Sequence, residues 1–246
     1  EVVLDQRQWQ ILFALNDACV RACDEKFRRC IEHLKQRGLY DDTVIILTSD
    51  RGDVMGDRPP WWGHMAEICD SLIHVPLIVR HPEAIEPGTR ISGITQTHDI
   101  FATCCEVAGA EVPSPAREQS RSLISAARGE GLREFALSEA YKPVQVMERI
   151  LRRYPDFDVR KYNYSLKSWR STTEKYVWRS DGRDEYYRVD EDPWNRNNLI
   201  EQNQQRASEL RQMMLDYLLS IPRNEFGDLQ SAFPGKAADP EIAAKL

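Results

Sequence analysis

Apolar positions recur at helical spacing over residues 10–36, where Val20, Phe27, Ile31 and Leu34 share a stripe, and Arg37-Gly38 supplies a stop signal. After the turn Leu39-Tyr40-Asp41-Asp42 the pattern changes. Thr43-Val-Ile-Ile-Leu-Thr-Ser49 runs without polar alternation and halts at Asp50, just ahead of Arg51-Gly52-Asp53. Such a run predicts a strand buried on both faces, as in a parallel sheet covered by helices. In open sheets of that kind ligands bind beyond the carboxyl ends of the strands, so Asp50 is the leading candidate for chemistry.

Further along, residues 52–64 are rich in Gly, Asp, Pro and Trp and predict a loop. Val75-Pro-Leu-Ile-Val79 predicts a second short strand, with Pro76 at an end or edge position. Pro87-Gly88 marks a turn, and Thr97-His98-Asp99 caps a helix that runs to about Ala108 and closes at Gly109. Residues 114–131 predict a loop with a helical turn, 135–139 a strand, and 141–166 an irregular excursion without a clear period. Alternating runs at 175–178 and 185–189, joined through Ser180-Asp-Gly182, predict a hairpin. Residues 201–219 predict an amphipathic helix with Leu210, Met213, Met214, Tyr217 and Leu218 on one side.

These elements predict an α/β fold: a mostly parallel sheet flanked by helices over residues 1–165. A small antiparallel sheet plus helix follows over 166–222, then a tail over 223–246. At 246 residues, 41% hydrophobic and 29% charged, the composition is that of an ordinary globular chain. Thirty-three Lys and Arg against 39 Asp and Glu leave a net charge of −6, which argues against nucleic acid as the main partner. No stretch reaches the roughly 20 apolar residues of a membrane helix. The opening Glu-Val-Val-Leu-Asp-Gln-Arg has neither Met nor a basic leader, and the expectation is that a longer or processed protein supplies what precedes it. Six cysteines (Cys19, Cys23, Cys30, Cys69, Cys104, Cys105) form neither a metal ladder nor a disulfide framework; Cys19, Cys23 and Cys30 follow helical spacing, which predicts packing.

Six segments in order resemble the sulfatase family of the alkaline-phosphatase-like superfamily, in its C-terminal portion. Thr48-Ser49-Asp50-Arg51-Gly52-Asp53 resembles T-S-D-H/N-G-[DE], and the helix followed by Leu39-Tyr40-Asp41-Asp42-Thr43 resembles the approach to it. Trp62-Gly63-His64-Met65 with His74-Val75-Pro76-Leu77-Ile78-Val79 resembles W-G-K/H and R-V-P-L-I-V. Asp99 to Thr103 with Val107-Ala108-Gly109, Arg121-Ser122-Leu123, and Tyr186 to Pro193 with Asn197-Asn198-Leu199 match the family's later motifs. The resemblance implies a sulfuric ester hydrolase acting on a small-molecule sulfate (or phosphate) ester. It also implies Ca²⁺ held by oxygen ligands, Asp50 as a metal ligand, and His64 where a Lys or His contacts the sulfate.

Two departures qualify this. Arg51 stands where the family has a second metal ligand, and a guanidinium has no lone pair to offer a cation. Arg51 therefore either binds the sulfate, replaces the metal's charge, or marks a disabled site, with weakened metal binding the favoured reading. The family's formylglycine precursor C/S-x-P-x-R is also absent. The nearest string, Pro113-Ser114-Pro115-Ala116-Arg117, has proline in the nucleophile's place. The chain alone is expected not to turn over, and a missing N-terminal segment or a partner chain is the implied complement. A phosphonate or phosphodiester hydrolase of the same superfamily, and a non-catalytic sulfatase-like binding module, remain rival readings. Asp50 could instead cap its turn, and His64 could pack or hydrogen-bond within its loop.

Overall fold

The computed structural model describes residues 4–57, 62–64 and 67–221. Residues 58–61 of the predicted loop, Met65 and the 223–246 tail lie outside them.

The chain opens on α1 (Gln6–Gln36), started by a reciprocal cap in which the Gln8 amide donates to Asp5 and the Asp5 amide donates to the Gln8 side chain. Gly38 takes a left-handed conformation just past its end. No residue of α1 is buried. Cys19, Cys23 and Cys30 are exposed and unbonded, so the packing expected of them is not found among the described residues.

Next come β1 (Ile45–Thr48), β2 (Val54–Met55), β3 (Trp62–Gly63), α2 (Asp70–Ile73) and β4 (Leu77–Arg80). β1 and β4 pair antiparallel, with Ile45 opposite Arg80 and Thr48 opposite Leu77. This corrects the expectation of a mostly parallel sheet: every strand pair among the described residues is antiparallel. The reason lies in the connection. A parallel pair needs a helical crossover, whereas the described residues between 49 and 76 offer only two-residue strands and one helical turn, so the chain doubles back. Every residue of β1 is also only half-buried, because the described residues give it a single neighbouring strand.

α3 (Asp99–Val107), α4 (Ser114–Arg117) and α5 (Leu123–Ala127) follow. Buried Asp99 holds this region together by pairing with the Arg133 guanidinium and accepting from the Gln96 amide at 2.7 Å and the Arg121 amide at 2.8 Å. The Thr103 hydroxyl accepts from the Leu123 amide at 2.9 Å and so docks α5 on α3.

β5 (Ala136–Ala140), β6 (Leu166–Arg170), β7 (Glu174–Arg179) and β8 (Glu185–Arg188) form one antiparallel sheet in that order. Its first strand lies upstream of residue 166. Between β5 and β6 sits α6 (Val144–Arg153), where an irregular excursion was expected. Its Met147 and Leu151 are buried against Val159, a four-residue spacing partly hidden by the run of arginines beside it. One face of the sheet carries Phe135, Trp169, Tyr176 and Tyr186 under α7 (Gln204–Ser220), which contributes Ala207, Leu210 and Met214. Phe135 and Trp169 stack with ring centres 5.3 Å apart. The opposite face packs Leu166, Val177 and Tyr187 against Ile68. Strand alternation thus makes both faces core.

Candidate active-site cleft

The strand of the Asp50 motif ends at Thr48, and the chain turns sharply. The Ser49 hydroxyl donates to the Arg51 carbonyl at 2.6 Å, and the Gly52 amide donates to the Leu72 carbonyl at 2.7 Å. Only glycine fits at 52: a Cβ there would lie 2.0 Å from the Ser71 carbonyl oxygen. The turn is therefore pressed onto α2 by its backbone.

Asp50, Arg51 and His64 all line one cleft of about 1030 Å³, between the β1–β4 pair and the β5 side of the large sheet. Asp50 is exposed. Arg51 Nη1 donates to Asp53 Oδ1 at 2.7 Å and to the Gly52 carbonyl at 3.2 Å, while His64 Nδ1 lies 3.4 Å from the same Asp53 oxygen. Asp53 thus gathers the two candidate substrate contacts. The Arg51–Asp53 pair is 38% and 43% exposed, so it orients rather than stabilises. His74, expected to be structural, is exposed at the cleft wall. His98 sits 3.1 Å from the Gln119 carbonyl, away from the cleft. The His81 ring accepts backbone amides of its own turn. A shallower hollow of about 460 Å³ beside Arg179 and Arg183 contains none of the candidate residues.

Sequence reasoning missed the group that anchors the cleft wall. Lys175, 1% exposed on β7, donates to the Ile68 carbonyl at 2.6 Å, Asp70 Oδ1 at 2.8 Å and Asn195 Oδ1 at 3.0 Å. Arg170, which lines the cleft, donates to Asp70 Oδ2 at 2.9 Å. Burial pushes the Asp70 carboxyl up, but Lys175 and Arg170 outweigh it and hold it below the usual carboxylate range. Neighbouring Cys69 is buried, and burial pushes its thiol up, which keeps it protonated and unsuited to nucleophilic attack. The one available signal was charge inside apolar runs: Asp70 within Ile68-Cys-Asp-Ser-Leu-Ile73, and Lys175 beside Tyr-Val-Trp178.

Calcium takes six to eight oxygen ligands. Among the described residues no three His, Cys, Asp or Glu side chains converge to hold a metal. Asp50 stands beside a guanidinium, and Asp53 is already paired with it. These residues by themselves do not fit the ion.

The cleft brings together the Asp50 and His64 segments, and comparison with known families decides the kinship. A family model described as N-sulphoglucosamine sulphohydrolase, C-terminal, matches residues 64–222, well over half the chain, and the Sulfatase model matches residues 8–110. The chain belongs to the sulfatase family.

Among curated relatives, N-acetylglucosamine-6-O-sulfatase of Bacteroides thetaiotaomicron is 35% identical over 114 residues, covering 46% of this chain and 20% of that protein. Steryl-sulfatase of Rattus norvegicus is 30% identical over 122 residues, covering 45% of this chain and 21% of that protein. A protein solved in complex with its substrate D-glucosamine-2-N,6-O-disulfate superposes with a TM-score of 0.68 at 25% identity, over 84% of this chain and 40% of that one. The phosphonate monoester hydrolase of Agrobacterium radiobacter gives 0.59 at 26% identity, over 80% and 38%. The matched region spans about a fifth of these curated relatives and two fifths of these solved structures. No helix among the described residues is long and apolar enough to cross a membrane.

Proposed function

We propose that this sulfatase-family chain forms the substrate-binding and carboxylate-bearing part of a sulfuric ester hydrolase, and that its substrate is a sulfated amino sugar. The observation that carries this reading is the convergence of Asp50, Arg51 and His64 on one open cleft at the end of β1. The amino sugar is supported by two relatives, one an N-acetylglucosamine-6-O-sulfatase and one bound to a disulfated glucosamine.

A sulfate ester is an anion, and the oxygens at sulfur gain charge as its bond to the sugar breaks. Arg51 brings a fixed positive charge and donors for those oxygens. His64 adds a donor, and Asp53, within reach of both side chains, orients them. A calcium ion in the whole protein would need oxygens beyond those of the described residues, with Asp50 as this chain's contribution. The nucleophile is likewise absent from these motifs, so the chain alone is inactive in this reading. The parallel sheet belongs to the same reading: its further strands would run along the free edge of β1.

The test is sulfate release by the complete protein from N-acetylglucosamine 6-sulfate and glucosamine N-sulfate, beside an aryl phosphonate ester. The expected result is sulfate release, with Arg51→Ala and His64→Ala each raising KM. Preference for the phosphonate would favour the rival hydrolase, to which the Agrobacterium structure is similar. Absence of turnover on all three, with retained binding of sulfated sugar, would favour a binding module, as Arg51 in a ligand's place would suit.

A further inference from the structure

The excursion between β5 and β6 is a knob with a small core of its own. Met147 and Leu151 of α6 are buried against Val159 of the 3₁₀ turn Val159–Lys161, and the Lys142 amide donates to Ser165 Oγ at 3.2 Å, closing the stem. That core makes no use of the charge the segment carries. Lys142, Arg149, Arg152, Arg153, Arg160 and Lys161 stand against Glu148, Asp156 and Asp158, in a chain whose net charge is −6. All six cations are exposed. At 100° per residue, Arg149, Arg152 and Arg153 occupy an arc of about 100° on the side of α6 opposite Met147 and Leu151. Arg152 approaches Glu148 only at 3.9 Å, and Arg149 and Arg153 have no acidic partner among the described residues. Like charges four residues apart on a helix repel, as Arg149 and Arg153 do here. An anionic ligand converts that repulsion into attraction.

The surroundings select the kind of anion. The stem opens from the cleft: Ser138, Glu139 and Ala140 of β5 line it, and Tyr141 and Lys142 follow directly. Two exposed rings accompany the cations. Tyr141 is 72% exposed with Lys167 Nζ 5.6 Å from its ring centre, and Tyr154 is 57% exposed with the Arg153 guanidinium 5.7 Å from its own. A flat ring beside a cation offers an apolar face to the C–H surface of a sugar and donors to a sulfate or carboxylate on it. The buried stripe of α6 faces inward and leaves the helix no apolar side to lay in a membrane. The net negative charge disfavours nucleic acid.

We infer that the α6 knob is a second binding surface, outside the cleft, for the continuing chain of a sulfated polysaccharide. Arg149, Arg152 and Arg153 contact its acidic groups, and Tyr141 and Tyr154 its sugar faces. The choice of ligand rests on the sulfated-sugar reading of the cleft, whereas the surface stands on its own geometry. α6 is about 15 Å long, longer than one sugar ring, so only an oligomer or polymer engages it fully. A chain held there keeps its sulfate esters at raised local concentration beside the cleft.

The test titrates the 246-residue chain with a heparin octasaccharide, an unsulfated chitin octasaccharide, a short DNA duplex and phosphatidylserine vesicles. The sulfated octasaccharide should bind tightest. In the combined Arg149→Ser, Arg152→Ser, Arg153→Ser variant its Kd should rise about tenfold or more, with a shallower salt dependence. Replacing the same three by lysine should restore most of the binding. Far-UV circular dichroism should be unchanged throughout, since the three side chains are exposed. Octasaccharide binding indifferent to the serine variant, or to sulfation, overturns the proposal, as does equal or tighter binding of DNA or vesicles. In the complete protein the serine variant should raise KM for the octasaccharide and leave turnover of N-acetylglucosamine 6-sulfate unchanged; equal losses on both also overturn it. Arginine-dependent octasaccharide binding without any sulfate release would leave the surface standing and remove the sulfatase reading. Sulfate release with arginine-independent binding would do the reverse.

Discussion

Replacing Lys175 by methionine tests how the cleft wall is held. The ammonium is buried, makes three hydrogen bonds, and reaches from β7 across to Ile68 and Asp70, just after the His64 segment. Methionine keeps most of the volume but removes the charge. The Ile68 carbonyl then loses its donor, at about 1–3 kcal/mol for a buried group left unmade, while Asn195 Oδ1 keeps the Asp70 amide at 3.3 Å. Asp70 keeps Arg170, at 2.9 Å, so its charge is not stranded. Breaking one side of a buried pair costs about 3–5 kcal/mol, and the surviving Arg170 argues for the lower part of that range, about 3 kcal/mol. With a urea slope of about 2 kcal/mol/M the midpoint should fall by about 1.5 M at unchanged slope. Urea unfolding followed by far-UV circular dichroism measures this directly. Asp70→Asn and the double variant complete the cycle, and the two changes should couple by about 1 kcal/mol or more. A midpoint shift below about 0.5 M, or simple additivity, would refute the idea that this pair anchors the wall.

Two other outcomes follow from the same geometry. Gly52→Ala forces a Cβ against the Ser71 carbonyl and should cost about 1–3 kcal/mol, releasing the Gly52 amide to hydrogen exchange; an exchange rate unchanged from wild type would contradict the close approach. On acidification, Arg179 holds Asp181, Arg206 holds Glu174, and the two cations hold Asp70 below the usual carboxylate range. Their stabilisation is fully present above the unfolded values near pH 4 and is lost as pH falls through the folded ones, so urea midpoints should decline between about pH 5 and pH 3. A flat profile there would mean these pairs do not contribute.

Local sequence carried much of the fold because local chemistry specified it. The stop of α1, the end of β1 at Asp50, the 175–189 hairpin and the α7 stripe are short-range patterns, and each element is present. The cleft was legible for the same reason: an apolar run ending at a carboxylate places Asp50 and Arg51 at a strand end whatever surrounds it. Pairing direction was not legible, since the run 43–49 reads alike beside a parallel or an antiparallel neighbour. The Ile45–Arg80 register and the one-turn α2 decided it. Nor could sequence join Asp70 to Lys175, 105 positions away, because a buried charge is tolerable only with a partner that folding brings to it. Sequence therefore determined most element types, α6 excepted, together with the candidate residues and the family. Tertiary structure alone decided strand pairing, which charges are buried, how Asp53 gathers Arg51 and His64, and which edge of β1 stays open, since each depends on distance through space rather than along the chain.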